Sequence, residues 1–291
     1  MRGRKDWDAH VADGELVART PSFQAMRAHV IEAADPRATD TVADLGAGTG
    51  LLTLGLAEHV DTVWAIDSSR AMGDYLAAKA ASAGARNVRV VQASVTSIPL
   101  VDESVDLVVS SYCFHELSDA DKRRALAEVF RIAVPGGRVV IADMMFSLFG
   151  GTARDRRVVG SKVRQLLARG APGVVRLAKN ALRVVAGRWE RPVSPAWWER
   201  ALAEAGFEDV RVPTLEHEIG IAVARRPAPA PAPGREDLDD RARSTTARAT
   251  LSPEDARDEC LRGPEVSLRA VGGLDQVPGS AGCGGSPAAA A

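Results

Sequence analysis

The stretch VADLGAGTG, residues 42–50, sets an acid, Asp44, ahead of three glycines, Gly46, Gly48 and Gly50. An apolar run leads into them, so the glycines follow a strand. Glycine tolerates positive φ and lets a ligand approach the backbone without meeting a Cβ. In a doubly wound α/β sheet the turn after the first strand lies at the carboxyl edge, where ligands bind. The same glycines would also suit a tight strand-to-helix turn with no ligand. A dinucleotide fingerprint, G-x-G-x-x-G, would need glycine at position 51, which is Leu51. Asp44 would repel a pyrophosphate and attract a positively charged group. Asp67 lies 17 residues past Gly50, within AIDSS (65–69), where the second strand should end. A carboxylate at the tip of a second strand can accept hydrogen bonds from two ribose hydroxyls. It can equally cap the helix that follows.

These residues need a frame. Apolar, β-rich runs occupy 41–45, 63–67, 88–92, 105–111 and 138–143. Between them lie Ala- and Leu-rich stretches with helical character at 51–59, 71–83 and 119–132. Strands alternating with helices of this length imply βαβ units and a mainly parallel sheet. Pro135, Gly136 and Gly137 should end the third helix and turn the chain into the fifth strand. Another helix is expected at 194–207, with Ser194 as N-cap, Pro195 in the first position and Gly206 at the end. Residues 210–226 read as two strands joined by a turn, closing the sheet.

Composition narrows the classes. The chain has 291 residues, is 46% hydrophobic and 26% charged, and carries a formal net charge of −1, so it is not a polycation seeking nucleic acid. Cys113, Cys260 and Cys283 are too few and too scattered for a disulfide framework, which fits a reducing cytoplasm. The charged opening MRGRKDWDAH has no apolar core behind it and is not expected to be a secretory signal. No run of 18 apolar residues is present to span a membrane.

S-adenosyl-L-methionine carries both an ammonium and a sulfonium, matching the acid before the glycines. With VADLGAGTG and AIDSS, the ordered segments QASVTSIPLVDESVDLVVSSYCFHEL, PGGRVVIADMMF and WWERALAEAGF resemble a class I S-adenosylmethionine-dependent methyltransferase. More narrowly the chain is similar to the small-molecule branch around the menaquinone and ubiquinone C-methyltransferases. The resemblance spans roughly residues 20–224. It implies a Rossmann-like, doubly wound seven-stranded sheet, mostly parallel with an antiparallel last strand. It also implies that Asp44 holds the methionine end, that Gly46, Gly48 and Gly50 carry the cofactor, and that Asp67 binds the ribose. Ser68 and Met72 would flank ribose and adenine. Relatives usually have an acid near the adenine amino group where this chain has Ser94. The Ser94 hydroxyl could bond the amine and the Val95 backbone N–H the ring. Ser110, with Ser111, would lie beside the reactive methyl.

Methyl transfer to carbon or oxygen also needs a proton removed, and histidine is the usual base near neutral pH. His115 is the first candidate and Asp143, at the end of the fifth strand, the second. His115 could instead pack the pocket or cap the next helix. His10, His29, His59 and His217 are dispersed and give no metal-ligand spacing. No Asn/Asp-Pro-Pro-aromatic motif follows the fourth strand, which weighs against nucleic-acid amine substrates. The segment TPSFQAMRAHVIEAA, residues 20–34, should pack over the open cofactor edge, with Phe23 and Met26 as candidate lid contacts or part of a plain core helix.

Three segments surround this core. Residues 1–19 form an N-terminal extension to a domain at 20–226. Within that domain, residues 152–191 form a helical insertion with 11 Lys and Arg against Asp155 and Glu190. There Val174, Ala178, Ala181 and Val185 share one helical face, and Arg176, Lys179 and Arg183 lie opposite. That helix reads either as a lid with its apolar face on the domain or as a surface meeting an anionic membrane or acidic carrier. Residues 227–291 are rich in Pro, Ala and Gly and are expected to be mostly disordered, with a short helix near 252–262 as the exception. The leading function is methylation of a small molecule, with an amphiphile as one class of acceptor. The rivals are a cofactor-binding regulator or scaffold without transfer activity, and a nicotinamide enzyme, which Leu51 disfavours.

Overall fold

The first four strands of the computed structural model fall close to where the sequence pattern puts them. It describes residues 6–149, 151–185, 190–215 and 218–229. β1 (Thr41–Leu45), β2 (Thr62–Asp67), β3 (Val88–Gln92) and β4 (Val105–Ser111) are parallel, in the order β3-β2-β1-β4. β5 (Ala133–Met144) continues the parallel set beside β4. β7 (Ile219–Arg225) then pairs antiparallel with β5 and with the edge strand β6 (Glu208–Arg211), completing seven strands. The doubly wound fold with an antiparallel last strand is therefore observed.

Helices cover both faces. On one face, α2 (Pro21–Ala34), α3 (Leu51–Ala57) and α4 (Arg70–Ser82) bury Met26, Val30, Leu52, Leu56 and Leu76 against Val42, Val63, Ala65 and Leu107. On the other, α5 (Asp119–Ile132) and α8 (Pro195–Glu204) bury Leu126, Val129, Trp198 and Leu202 against Leu45, Ile66 and Val108. The helix starts are set by side chains that accept otherwise unpaired backbone N–H groups. Ser69 caps α4 at Met72, Ser118 caps α5 at Asp121, and Ser194 caps α8 at Trp197. Pro195 opens α8, and Gly206 follows it with φ 98°.

Several expectations need correcting. Pro135–Gly137 do not stand outside the fifth strand. α5 ends at Ile132 and β5 begins at once, with the Pro-Gly-Gly run as an irregularity where the register slips between Val105 and Leu107. Gly136, at φ 79°, supplies the left-handed turn there, and its N–H donates to the Arg226 carbonyl. Met26 is core, not lid. Residues 8–18 are folded onto the domain. A 3-10 turn (Asp8–His10) leads into α1 (Val11–Ala18), and Asp8 accepts hydrogen bonds from the Ser69 hydroxyl and the Ala71 N–H at the start of α4.

The basic insertion is a helical hairpin, α6 (Ala153–Leu167) and α7 (Ala171–Val185). Thr152 and Asp155 form a reciprocal capping box at the start of α6. Arg154 anchors that end by donating to the carbonyls of Met145, Leu215 and Ile219. The lid arrangement is not what the fold adopts. The face of α7 carrying Val174, Ala178, Ala181 and Val185 is exposed among the described residues. The expected disordered tail lies outside the described residues from 230 onward. Among those described, no helix is long and apolar enough to cross a membrane.

Candidate active site

The carboxyl ends of β1, β2, β4 and β5 bring most of the candidate residues to one edge. After β1 the chain takes positive φ at Gly46 (71°), Gly48 (52°) and Gly50 (85°). The three glycines are glycine for different reasons. A Cβ on Gly46 would sit 2.5 Å from the Cys113 sulfur, and one on Gly50 would sit 2.2 Å from a Leu76 methyl. Those two positions are explained by the protein's own packing. At Gly48 a Cβ would come no closer than 3.9 Å to any atom, the Gly46 carbonyl oxygen, so the loop there faces open space.

Asp44 is buried at the end of β1, where its Oδ2 accepts a 2.6 Å hydrogen bond from the Thr53 hydroxyl. Among the described residues no cation pairs with it. Burial raises its pKa from 3.8 to about 6, against the pull of Thr53. Asp67, at the end of β2, is oriented by two backbone donors, Gly48 N–H at 2.9 Å and Ser69 N–H at 2.8 Å. Burial raises its pKa as well. Ser69, not Asp67, is the N-cap of α4, so the capping alternative for Asp67 falls away.

Beyond β4 the backbone turns at Tyr112 (φ 50°) into a 3-10 turn, Phe114–Glu116. Asp143, buried at the end of β5, organises this turn. Its Oδ2 accepts from the N–H groups of Phe114 (2.7 Å) and His115 (3.2 Å). Its Oδ1 accepts from Met144 N–H (2.6 Å) and meets His115 Nδ1 at 2.7 Å. A carboxylate so committed as an acceptor fixes the proton on Nδ1 and leaves the Nε2 lone pair facing away. Asp143 thus holds the His115 ring and the turn that carries it. Burial pulls the His115 pKa down, but the charge and hydrogen bond of Asp143, with Glu116 and Glu190, raise it overall. Nε2 lies 3.8 Å from Glu116 Oε1. One ligand atom from each of His115, Glu116 and Glu190 falls within 4.8 Å of the others, a grouping able to hold a cation. Rings line the same place: Tyr112 lies 4.8 Å from Phe23 and 5.6 Å from His115, centroid to centroid.

Other candidates sit elsewhere or are already engaged. The buried Ser110 hydroxyl donates to the Leu45 carbonyl at 2.7 Å, tying β4 to β1 and not reaching toward a ligand. Ser94 bonds within its own turn, to Thr96 at 2.8 Å, and the Val95 side chain belongs to the core. Ser68 is exposed, whereas Met72 is buried beside Gly14 of α1. Sequence reasoning missed Tyr112, Glu190 and the docking of α1. There Lys79 bonds Glu15 at 2.8 Å and the Thr49 carbonyl of the glycine loop at 3.2 Å.

Residues 42–137 match the sequence family described as a methyltransferase domain. That span holds the glycine loop, Asp67 and His115. By that match and by its fold the chain is similar to S-adenosylmethionine-dependent methyltransferases. An uncharacterized methyltransferase of Geobacillus kaustophilus is 32% identical over 134 residues, covering 46% of this chain and 57% of the relative. The uncharacterized methyltransferase YcgJ of Bacillus subtilis is 32% identical over 114 residues, covering 39% and 44%. The chain thus spans about half the length of these curated relatives. A crystal structure of an S-adenosylmethionine-dependent methyltransferase from Aquifex aeolicus shares the fold with a TM-score of 0.53, at 22% identity over 74% of this chain and 97% of that one. The [4+2]-cyclase SpnF shares it too, with a TM-score of 0.53 at 18% identity over 72% and 85%, so the fold alone does not fix the chemistry. The quinone branch has no counterpart among these names.

The methyltransferase domain implies S-adenosyl-L-methionine as its cofactor, and the site fits that group. A loop open in front of Gly48 leaves room against the backbone. A buried carboxyl that pairs with no cation among the described residues, its pKa raised to about 6 by burial, suits an ammonium that would hold it ionised.

Proposed function

We propose that the chain transfers a methyl group from S-adenosyl-L-methionine to a small-molecule acceptor. The observation that carries this reading is the His115–Asp143 pair, 2.7 Å apart, on the sheet edge shared with Asp44, the glycine loop and Asp67. Bound there, the cofactor supplies an electrophilic methyl on a sulfonium. Asp44 would hold the amino-acid end and Asp67 the ribose hydroxyls. His115 Nε2 would take the proton that the acceptor gives up on methylation. Asp143 holds the ring and stabilises the imidazolium that forms. Orientation of two reactants supplies on the order of 7–11 kcal/mol in such reactions, and a positioned base about 10²–10⁴-fold. The Phe23 and Tyr112 rings offer an apolar wall for the acceptor. The exposed apolar residues and cations of α7 make an amphiphile the first class to try, and the scarcity of cysteine favours a reducing cytoplasm.

Incubating the purified protein with isotope-labelled methyl donor and cell extract, followed by mass spectrometry, should reveal a labelled small molecule. Calorimetry should show S-adenosylhomocysteine binding and no heat with NADH. Tight NADH binding would overturn the reading. Cofactor binding with no labelled product from any extract would favour a regulator or scaffold.

A further inference from the structure

α7 has more apolar surface than its neighbours cover. At 3.6 residues per turn its apolar side chains occupy one continuous half of the helix, from Val184 around through Val174 to Val175. Lys179, Arg183 and Arg176, with Asn180, fill the other half. Contact with α6 uses only one edge. Gly173 is buried there, so close that a Cβ would lie 1.7 Å from the Leu166 carbonyl oxygen, and Leu177, Asn180 and Val184 are half-buried on the same side. The remaining apolar arc is open to solvent, with Val174 50%, Val175 54%, Leu182 69% and Val185 87% exposed. Scattered exposed apolar residues need no explanation, but a contiguous strip beside a row of cations does.

Charge says what kind of surface this strip meets. Residues 151–185 expose seven Arg and Lys and no acid, since their one acid, Asp155, is buried. A polyanion is favoured, and the apolar strip sets the choice among polyanions. Nucleic acid would leave Leu182 and Val185 in water, whereas a lipid interface takes apolar residues below the headgroups and lysine and arginine at their level. We propose that α7 is a docking surface for an anionic lipid bilayer. Its link to an amphiphilic acceptor rests on the methyl-transfer reading, but the lipid contact itself does not. The apolar residues are mostly Val and Ala, too small to anchor the helix alone, so both the apolar and the charge contribution are needed.

The full-length protein is sedimented with phosphatidylglycerol vesicles and with phosphatidylcholine vesicles. At low salt, enrichment on the anionic vesicles should be about tenfold or more for three cations acting together. It should fade as added salt shortens the screening length below about 10 Å. Two variants separate the contributions: Arg176→Gln with Lys179→Gln and Arg183→Gln, and Val174→Ser with Leu182→Ser. Both change exposed side chains only, both should lose the enrichment, and both should bind S-adenosylhomocysteine like wild type. Equal pelleting with both vesicle types, or enrichment surviving either variant, overturns the proposal. So does light scattering that shows a dimer abolished by the Val174→Ser, Leu182→Ser variant, since a second copy would then cover the strip. So does a short duplex oligonucleotide that binds in a Leu182-independent way and displaces the vesicles. Vesicle binding by a protein that ignores S-adenosylhomocysteine would uphold the surface and refute the methyl-transfer reading. S-adenosylhomocysteine binding without vesicle enrichment would refute the surface and leave the cofactor site standing.

Discussion

Replacing Asp44 by Asn should make the ligand-free fold more stable with rising pH while weakening the cofactor site. Burial lifts the Asp44 pKa from 3.8 to about 6. A carboxyl whose folded pKa lies above its unfolded value favours the fold while protonated and loses that contribution as pH rises through the folded value. At pH 8 ionised Asp44 therefore costs about 3 kcal/mol, at 1.36 kcal/mol per pH unit. Roughly half of that cost is already present at pH 5, because the unfolded carboxyl ionises there first. Asn has the same shape, can still accept from the Thr53 hydroxyl, and carries no charge. Between pH 5 and pH 8 the variant should thus gain about 1.4 kcal/mol on wild type, read from urea melts at each pH. Comparing the two proteins across pH removes any fixed cost of the new amide N–H. Affinity for S-adenosylhomocysteine, which keeps the ammonium, should fall by about 1.5–3 kcal/mol at pH 8, the scale of a charge-assisted hydrogen bond. In wild type the same affinity should decline as pH drops below about 6, where Asp44 takes up its proton. A stability difference flat to within about 0.5 kcal/mol over this range, or unchanged affinity, would refute the reasoning.

The His115–Asp143 pair gives a kinetic signature. His115→Ala should leave S-adenosylhomocysteine affinity nearly unchanged and lower turnover about 10²–10⁴-fold, and Asp143→Asn should follow it. The active base is neutral imidazole, so with the raised His115 pKa the rate should climb as pH rises past 6.5. Glu116→Gln should move that limb to lower pH, and a limb that stays in place would discount the acidic neighbours. Gly48→Ala should cost about 1–2 kcal/mol of stability for its left-handed backbone and block the cofactor. Gly46→Ala, which also collides with Cys113, should cost more, and equal melting temperatures would contradict the packing assignment. Lys79→Met should free α1 from the glycine loop, so hydrogen exchange across residues 11–18 should quicken while the β1–β4 core stays protected.

The parallel core was legible because its strands are apolar runs bounded by breakers, and because the starts of α4, α5 and α8 each carry a serine cap. Ser69, Ser118 and Ser194 all lie within a residue or two of the expected starts. Asp44, the glycines and Asp67 were legible because strand tips at a switch point have few places to be. What escaped depends on contacts distant in sequence. Ser110 looked available until the 2.7 Å bond to Leu45, 65 residues away, engaged it. Glu190 and His115 are 75 residues apart and meet because Arg191 N–H donates to the His115 carbonyl and buried Lys122 donates to the carbonyls of Leu117 and Arg191. Nothing in local periodicity signals such a junction. α7 escaped in a different sense. Its amphipathic pattern was plain, but a pattern alone cannot say whether the apolar half meets protein or solvent.

On the proposed reading, the buried acid at the end of β5 supports the base and is not itself the base. Asp143 receives three backbone N–H bonds besides the imidazole, so both its oxygens are already engaged. His115 has one nitrogen held and the other facing acidic neighbours. Those neighbours favour the imidazolium, the form that exists after a proton has been accepted. With His115 as the proposed base, the arrangement would assist proton removal from the acceptor and slow the return of the base to its neutral form, which would tie the useful pH range to Glu116 and Glu190.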